Sequence, residues 1–256
     1  MRPEYPKPEM TKISEFVWEI PTSYKKGMLV PGRIYASDEL MKTMDNGVFN
    51  QITNVATLPG IVTASFCMPD APWGYGFPIG GVAAFDIENG GIISPGGIGF
   101  DINCGMRLIT TNLTIDEVQP KIKELVNLLY EKVPVGVGCK GILHPTQEQF
   151  KEILHDGAQW CQRNGYATEH DIKHIEDEGK ISWADASKVS EKAIKRGINQ
   201  VGTLGSGNHY LEIQVVKDAN IFDKEIAKKF GIVKDGQIVV MVHCGSRGFG
   251  HQIGTD

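Results

Sequence analysis

The sequence lacks several things, and each absence excludes a class of protein. No run approaches the ~20 consecutive apolar residues that a membrane-crossing helix needs. The opening Met1-Arg2-Pro3-Glu4-Tyr5-Pro6 carries charge but no apolar stretch behind it, so no secretory leader is expected. The five cysteines, Cys67, Cys104, Cys139, Cys161 and Cys244, are odd in number and form no CxxC pair. That excludes a disulfide scaffold and points to a reduced, cytoplasmic protein. Charge of one sign is also lacking: the net charge of −5 argues against indiscriminate nucleic-acid binding but leaves room for a local groove. No internal repeat and no low-complexity tract interrupts the 256 residues. Hydrophobic residues at 41% and charged residues at 22% are an ordinary globular balance, which excludes disorder as the main state.

Glycine, by contrast, is abundant. Thirty residues are glycine, well above the usual ~7%, and they cluster. Glycine-bounded apolar runs at Ile61–Met68 and Gly80–Phe85 predict buried strands. A short helix is expected after Ser37, running through Leu40, Met41 and Met44 and stopping at Asn46-Gly47. Thr114 with Glu117, and Thr146 with Gln149, have the spacing of capping boxes. Each opens an apolar pattern at helical spacing: Ile122, Leu125, Val126 and Leu129 in one, Phe150, Ile153 and Leu154 in the other. A third helix is expected from Asp185 to Arg196, closed by Gly197, and the charged stretch Glu169–Lys180 reads as a solvated face or loop. Strands return at His209–Val216 and Gln237–His243. The class is therefore α+β, with mixed or antiparallel sheets: a Gly-rich strand region (1–113), a mainly helical insert (114–200) and a strand region carrying polar motifs (201–256).

Four motifs carry candidate chemistry. In Ser94–Gly105, Asp101 and Cys104 lie three apart in a glycine-rich turn, which can aim a carboxylate and a thiolate at one point, a transition-metal pair; the alternative is a hairpin with a buried cysteine. In Gly202–Glu212, a Gly/Ser loop offers backbone N–H groups suited to phosphate, although the Gly-Lys-Ser/Thr of a P-loop is missing. His209 sits at the loop–strand junction. A regular strand from Asn208 puts Asn208, Tyr210 and Glu212 on one face, where an amide, an aromatic ring and a carboxylate suit a phosphate, a base plane and a base edge; the alternative is an exposed polar face. In Val239–His251, an apolar strand ends at His243, a common placement for a metal ligand, and Arg247 is a natural phosphate clamp or else an exposed arginine past a strand cap. Asp70 follows a buried strand, as a turn residue or a supporting acid. His144, His155, His170, His174 and His251 are taken as surface or packing residues.

Together these segments resemble the RtcB-type RNA ligases. The resemblance rests on Leu58–Ile61, Met68-Pro69-Asp70, Gly74–Ala84, Ser94–Cys104, Leu204–Glu212 and His243–Gln252, in order, and covers essentially the whole chain from Trp18. It implies a cytoplasmic ligase of tRNA splicing and RNA repair that joins RNA 2′,3′-cyclic phosphate or 3′-phosphate ends to 5′-hydroxyl ends. The implied course is opening of the cyclic phosphate, guanylylation of a histidine, transfer of GMP to the 3′-phosphate and its displacement by the 5′-hydroxyl. It implies GTP and two Mn(II) ions, with Asp101, Cys104, His209 and His243 as metal ligands and Cys104 bridging. Asn208 would touch the GTP phosphates, Glu212 and Tyr210 would lie near guanine, Arg247 would face RNA phosphate, and Asp70 would support catalysis. Archease is an implied partner. The thiolate and imidazoles favour Zn(II) over Mn(II), so Zn(II) is an expected competitor.

The sequence departs from the family in three ways. Pro72 stands where a histidine is usual, and Cys244 follows His243 where a small polar residue is common. Family chains also continue well past the block that ends here near Asp256, and that further part holds another metal-binding histidine, the guanylylated histidine and most of the guanine pocket. This polypeptide alone is therefore expected to carry most of the metal ligands and to form no covalent GMP adduct. Two other readings are a metal-dependent phosphodiesterase that opens cyclic phosphates without ligating, and a non-catalytic RNA-binding module.

Overall fold

In the computed structural model of the chain, residues 4–99 and 101–256 are described; Met1-Arg2-Pro3 and Phe100 of the glycine-rich motif lie outside them. The class is α+β, and the chain divides into two compact units, Met1–Gly99 and Phe100–Asp256.

The first unit runs β1 (Thr11–Ser14), β2 (Val17–Ile20), β3 (Gly32–Tyr35), α1 (Asp38–Thr43), α2 (Asn46–Val55), β4 (Ile61–Cys67), β5 (Gly81–Phe85) and α3 (Pro95–Ile98). The strands form one sheet in sequence order, antiparallel except for β3 against β4. A parallel pair needs a crossover, and α1 and α2 supply it. The helices bury Met41, Val48, Phe49 and Ile52 against Ile20, Ile34 and Cys67. The expected helix after Ser37 is α1, with the Ser37 hydroxyl accepting from Leu40 N at 3.3 Å. Its expected stop at Asn46-Gly47 is corrected, because a second helix begins there. The Asp45 carboxylate accepts from Gly47 N at 2.7 Å, which makes it an N-cap, and a Cβ on Gly47 would lie 2.7 Å from the Trp73 ring. The glycine answers a close approach, not a helix end. The two strands expected around the glycine clusters are β4 and β5.

The second unit runs β6 (Gly105–Thr114), α4 (Ile115–Val118), α5 (Ile122–Lys132), α6 (Gln147–Asp156), α7 (Ala158–Arg163), α8 (Glu169–Lys173), α9 (Glu191–Gly197), β7 (Tyr210–Val215), α10 (Lys224–Lys229), β8 (Gln237–Cys244) and α11 (Arg247–Thr255). Its sheet is antiparallel in the order β6-β8-β7, with β8 central. Helices from α4 to α9 fill the sequence between β6 and β7. Both expected capping boxes are present, at Thr114/Glu117 and Thr146/Gln149. The third expected helix starts later than Asp185. Asp185 caps only a 3-10 turn, Ser190 caps α9, and Gly197 lies inside the element because a Cβ there would meet Phe249 at 2.7 Å. The charged stretch Glu169–Lys180 is more ordered than a loop: Thr168 and Asp171 form a third capping box, opening α8.

The helical segment is held partly by Asp156, whose carboxylate accepts from Lys180 and His155 at 2.7 and 2.9 Å and also from Arg163. These donors hold its carboxyl well below the usual range, Lys180 most strongly. The folded value is depressed, so the stabilisation is complete above the unfolded value near 4 and is lost as pH falls through the folded one. Asp156→Asn is therefore expected to lower the melting temperature at pH 7. The gap between variant and parent should narrow steadily below about pH 4, read by thermal melts across the pH range.

The two faces of the second sheet differ. On one, Leu211 and Ile213 of β7 share an apolar cavity of about 410 Å³ with Ile122, Val126 and Leu129 of α5, residues at helical spacing. The other carries Met106 of β6, Met241 and His243 of β8, and Tyr210, Glu212 and Gln214 of β7. The Tyr210 hydroxyl reaches the sulfurs of Met106 and Met241 at 3.8 and 3.6 Å, and Tyr210 and Met106 both lie opposite His243 in register.

Candidate metal centre

The expected metal residues lie at one end of this second face. Asp101 and Cys104 occupy a turn closed by Cys104 N donating to Asp101 O at 3.0 Å, with Asn103 at φ 59°. One ligand atom each from Asp101, Cys104 and His209 falls within 4.8 Å of the others. His209 Nε2 is 2.6 Å from Asp101 Oδ2 and 3.3 Å from Cys104 Sγ. His243 Nε2 reaches the same sulfur at 3.0 Å. Residues more than a hundred positions apart in sequence therefore converge on one thiol.

The backbone fixes the imidazole. His209 Nδ1 lies 2.8 Å from the carbonyl of Leu204. A carbonyl oxygen only accepts, so Nδ1 carries a hydrogen and Nε2 is the nitrogen turned toward Asp101 and Cys104. Nε2 faces a carboxylate oxygen and a sulfur, a set of donor atoms that either a shared proton or a metal cation can bridge. Burial, and then the charge of Asp101, push the Cys104 thiol up to about 11. A bound cation reverses that logic and favours the thiolate. An outer bond from the ring's second nitrogen to a carbonyl is also the usual support of a metal-bound histidine. On this donor chemistry the residues fit a divalent transition metal.

The Leu204 carbonyl is itself held in place. Leu204 N donates to Pro134 O at 2.9 Å and Gly136 N donates to Gly205 O at 2.8 Å, a short parallel bridge between the 200–209 loop and the segment after α5. Asp101 is fixed from the other side. Its Oδ1 accepts from Arg247 N at 2.8 Å and from the Ser246 hydroxyl at 3.2 Å, at the start of α11. Arg247 adopts φ 57°, unusual for a side chain of its size. Its Nη1 lies 3.2 Å from His209 Nδ1, so the guanidinium stands beside the metal residues.

The expected nucleotide residues divide. Tyr210 and Glu212 lie on the same sheet face, where Gln214 Nε2 donates to Glu212 Oε2 at 2.8 Å. Asn208 precedes the strand, and its amide approaches Cys104 Sγ at 3.9 Å. Asp70 belongs to the first unit, just after β4. The histidines set aside as structural make contacts of their own: His155 with Asp156, His170 stacked on His174, and His251 with Arg196. The sequence reading missed α11 and its hold on Asp101, the Leu204 carbonyl, and Gln200, whose Oε1 accepts from Gly248 N at 3.0 Å. The repeat of Phe249 and Ile253 at helical spacing was the available signal for α11, masked by Gly248 and Gly250.

This fold and site define an α+β protein with a candidate transition-metal centre of mixed oxygen, sulfur and nitrogen donors. The profile of the tRNA-splicing ligase RtcB family matches residues 51–256, and the chain belongs to that family. It is 51% identical over 247 residues to the tRNA-splicing ligase RtcB of Archaeoglobus fulgidus, covering 96% of this chain and 50% of that protein. The proteins of the same name from Pyrobaculum aerophilum and Thermococcus kodakarensis are each 53% identical over 248 residues, covering 96% of this chain and 51% and 50% of theirs. The chain thus spans about half the length of the curated relatives it matches.

Proposed function

We propose that this chain is the metal- and nucleotide-binding part of a cytoplasmic, GTP- and Mn(II)-dependent RNA ligase, one that joins 2′,3′-cyclic phosphate or 3′-phosphate ends to 5′-hydroxyl ends in tRNA splicing and RNA repair. The observation that carries the reading is the convergence of Asp101, Cys104 and His209 within 4.8 Å, with His243 at 3.0 Å from the same sulfur. Asp101, Cys104, His209 and His243 would hold the metal, and Cys104 would be shared with a second ion. The bound cations would supply charge neutralisation for phosphoryl transfer. Asn208 is assigned to a nucleotide phosphate. Glu212 can accept from adjacent N–H groups of a guanine edge, and Tyr210 offers an aromatic edge beside it. Arg247, next to His209, is a cation for RNA phosphate, and Asp70 is assigned a supporting role. Zn(II) is a competitor for the same donors, and archease is a partner to test.

Among the described residues, His155, His170 and His174 make their contacts within the helical segment, and this 256-residue polypeptide is assigned nucleotide binding without covalent capture. The test is to incubate the chain with α-labelled GTP, with and without Mn(II). Filter retention should require Mn(II) and fall when Zn(II) is added, and a denaturing gel should carry no label. Retention indifferent to metal, or a covalently labelled band, overturns the assignment.

A further inference from the structure

The reverse face of the second sheet holds a cavity that none of these roles uses. It measures about 290 Å³ and is lined by Asn103, Arg107, Cys244, Gly245 and Ser246, among others. Arg107 pairs with Val242 in register, and Val242 with Leu211, so its side chain points away from His243, Tyr210 and Glu212. The guanidinium is exposed. Its one hydrogen bond is a 3.3 Å donation to the carbonyl of its neighbour Met106, and no carboxylate pairs with it among the described residues. Among the described residues no acidic side chain lines the cavity, and the carboxylate of Asp101 stands behind Gly245.

The cavity nonetheless shares walls with the metal centre. Asn103 lies between Asp101 and Cys104, Cys244 follows His243, and a Cβ on Gly245 would lie 2.5 Å from Asp101 Oδ2. Cations on the far side of this wall would add positive field to that of Arg107. An exposed arginine beside an asparagine amide, in an open cavity of mixed polar and apolar lining, matches the chemistry of a phosphate group.

We propose that this cavity binds a backbone phosphate of the RNA strand, with Arg107 as its charge and the Asn103 amide as a hydrogen-bonding neighbour. The inference rests on reading the chain as part of an RNA ligase. A nucleotide is the other source of phosphate, but a base held at Glu212 lies on the opposite face of the sheet. The RNA backbone is the ligand that can pass both.

The test uses the Mn(II)-loaded chain and a 3′-labelled single-stranded RNA with a 5′-hydroxyl, followed by fluorescence anisotropy over a range of salt. Arg107→Gln should weaken RNA binding about fivefold, the upper range for an exposed ion pair. It should lower the salt slope by about 0.7, the value for one single-strand phosphate. Mn(II) affinity and metal-dependent GTP retention should stay unchanged, and Arg107→Lys should restore much of the slope. An unchanged slope in Arg107→Gln, while Arg247→Gln lowers it, overturns the cavity assignment and leaves the ligase reading standing. A loss of GTP retention in Arg107→Gln overturns the RNA assignment in favour of nucleotide phosphate. If the parent chain binds no RNA, the ligase reading itself fails and the inference falls with it.

Discussion

Replacing Cys104 with alanine is expected to reduce Mn(II) affinity by more than the about 10–100-fold that losing an outer-sphere partner of a metal ligand costs. The reason is geometric. Both imidazoles approach this sulfur, His209 at 3.3 Å and His243 at 3.0 Å, so its removal takes away the atom they share. The fold should survive, because Cys104 is exposed as a residue and sits in the turn before β6, outside any packed core. Loss of the free Mn(II) electron-paramagnetic-resonance signal on titration measures the affinity. Cd(II) gives a second readout: sulfur-to-metal charge-transfer absorption with the first equivalent, weaker in Cys104→Ala than in the parent, with the other four thiols setting the background. Parent-like Mn(II) binding by the variant, or first-equivalent Cd(II) absorption equal to the parent's, would remove the thiol from the site.

Gly205→Ala is expected to damage both stability and metal binding. Gly205 has φ +107°, where a side chain costs on the order of 1–3 kcal/mol. The new Cβ would also overlap Cζ and Nη1 of Arg247 and lie 2.5 Å from His209 Nδ1. Relief requires either the imidazole or the guanidinium to move, and the imidazole is the one that positions Nε2. A loss of about 2–3 kcal/mol in unfolding free energy is expected, together with a fall in metal affinity of about 10–100-fold. Gly207→Ala is the internal comparison. It also has positive φ, +78°, but no atom within 4 Å of its added Cβ. It should show only a conformational cost of about 1–2 kcal/mol and parent-like metal affinity. Chemical denaturation and Mn(II) titration of the pair separate the two effects. Equal metal affinities in the two variants would show that the crowding at Gly205 does not govern the site.

Where the sequence spoke clearly, it did so through local chemistry. The capping boxes at Thr114 and Thr146 are visible because Thr and Glu or Gln three apart satisfy backbone donors within one turn. The strands β4 and β5 are visible because glycines bound their apolar runs. Three strands of the first sheet were not legible, since β1, β2 and β3 span four residues each, too short for a period of two to stand out. β6 hid for another reason: Leu108 and Ile109 are adjacent and both exposed, which breaks the period of two. At the candidate metal centre the side chains were legible and their supports were not. Asp101, Cys104, His209 and His243 advertise themselves by residue type. The carbonyl of Leu204 and the amide of Arg247 that hold them belong to the backbone, where every residue looks alike.

The bridge between Val135 and Gly205 carries a consequence for how the chain tolerates change. The carbonyl that orients His209 is anchored to the stretch that follows α5, some seventy residues earlier in the chain. Variation in Pro134, Val135 or Gly136 therefore reaches a candidate metal ligand that none of them touches. Drift in a peripheral connector and the aim of that imidazole are, in this molecule, the same event.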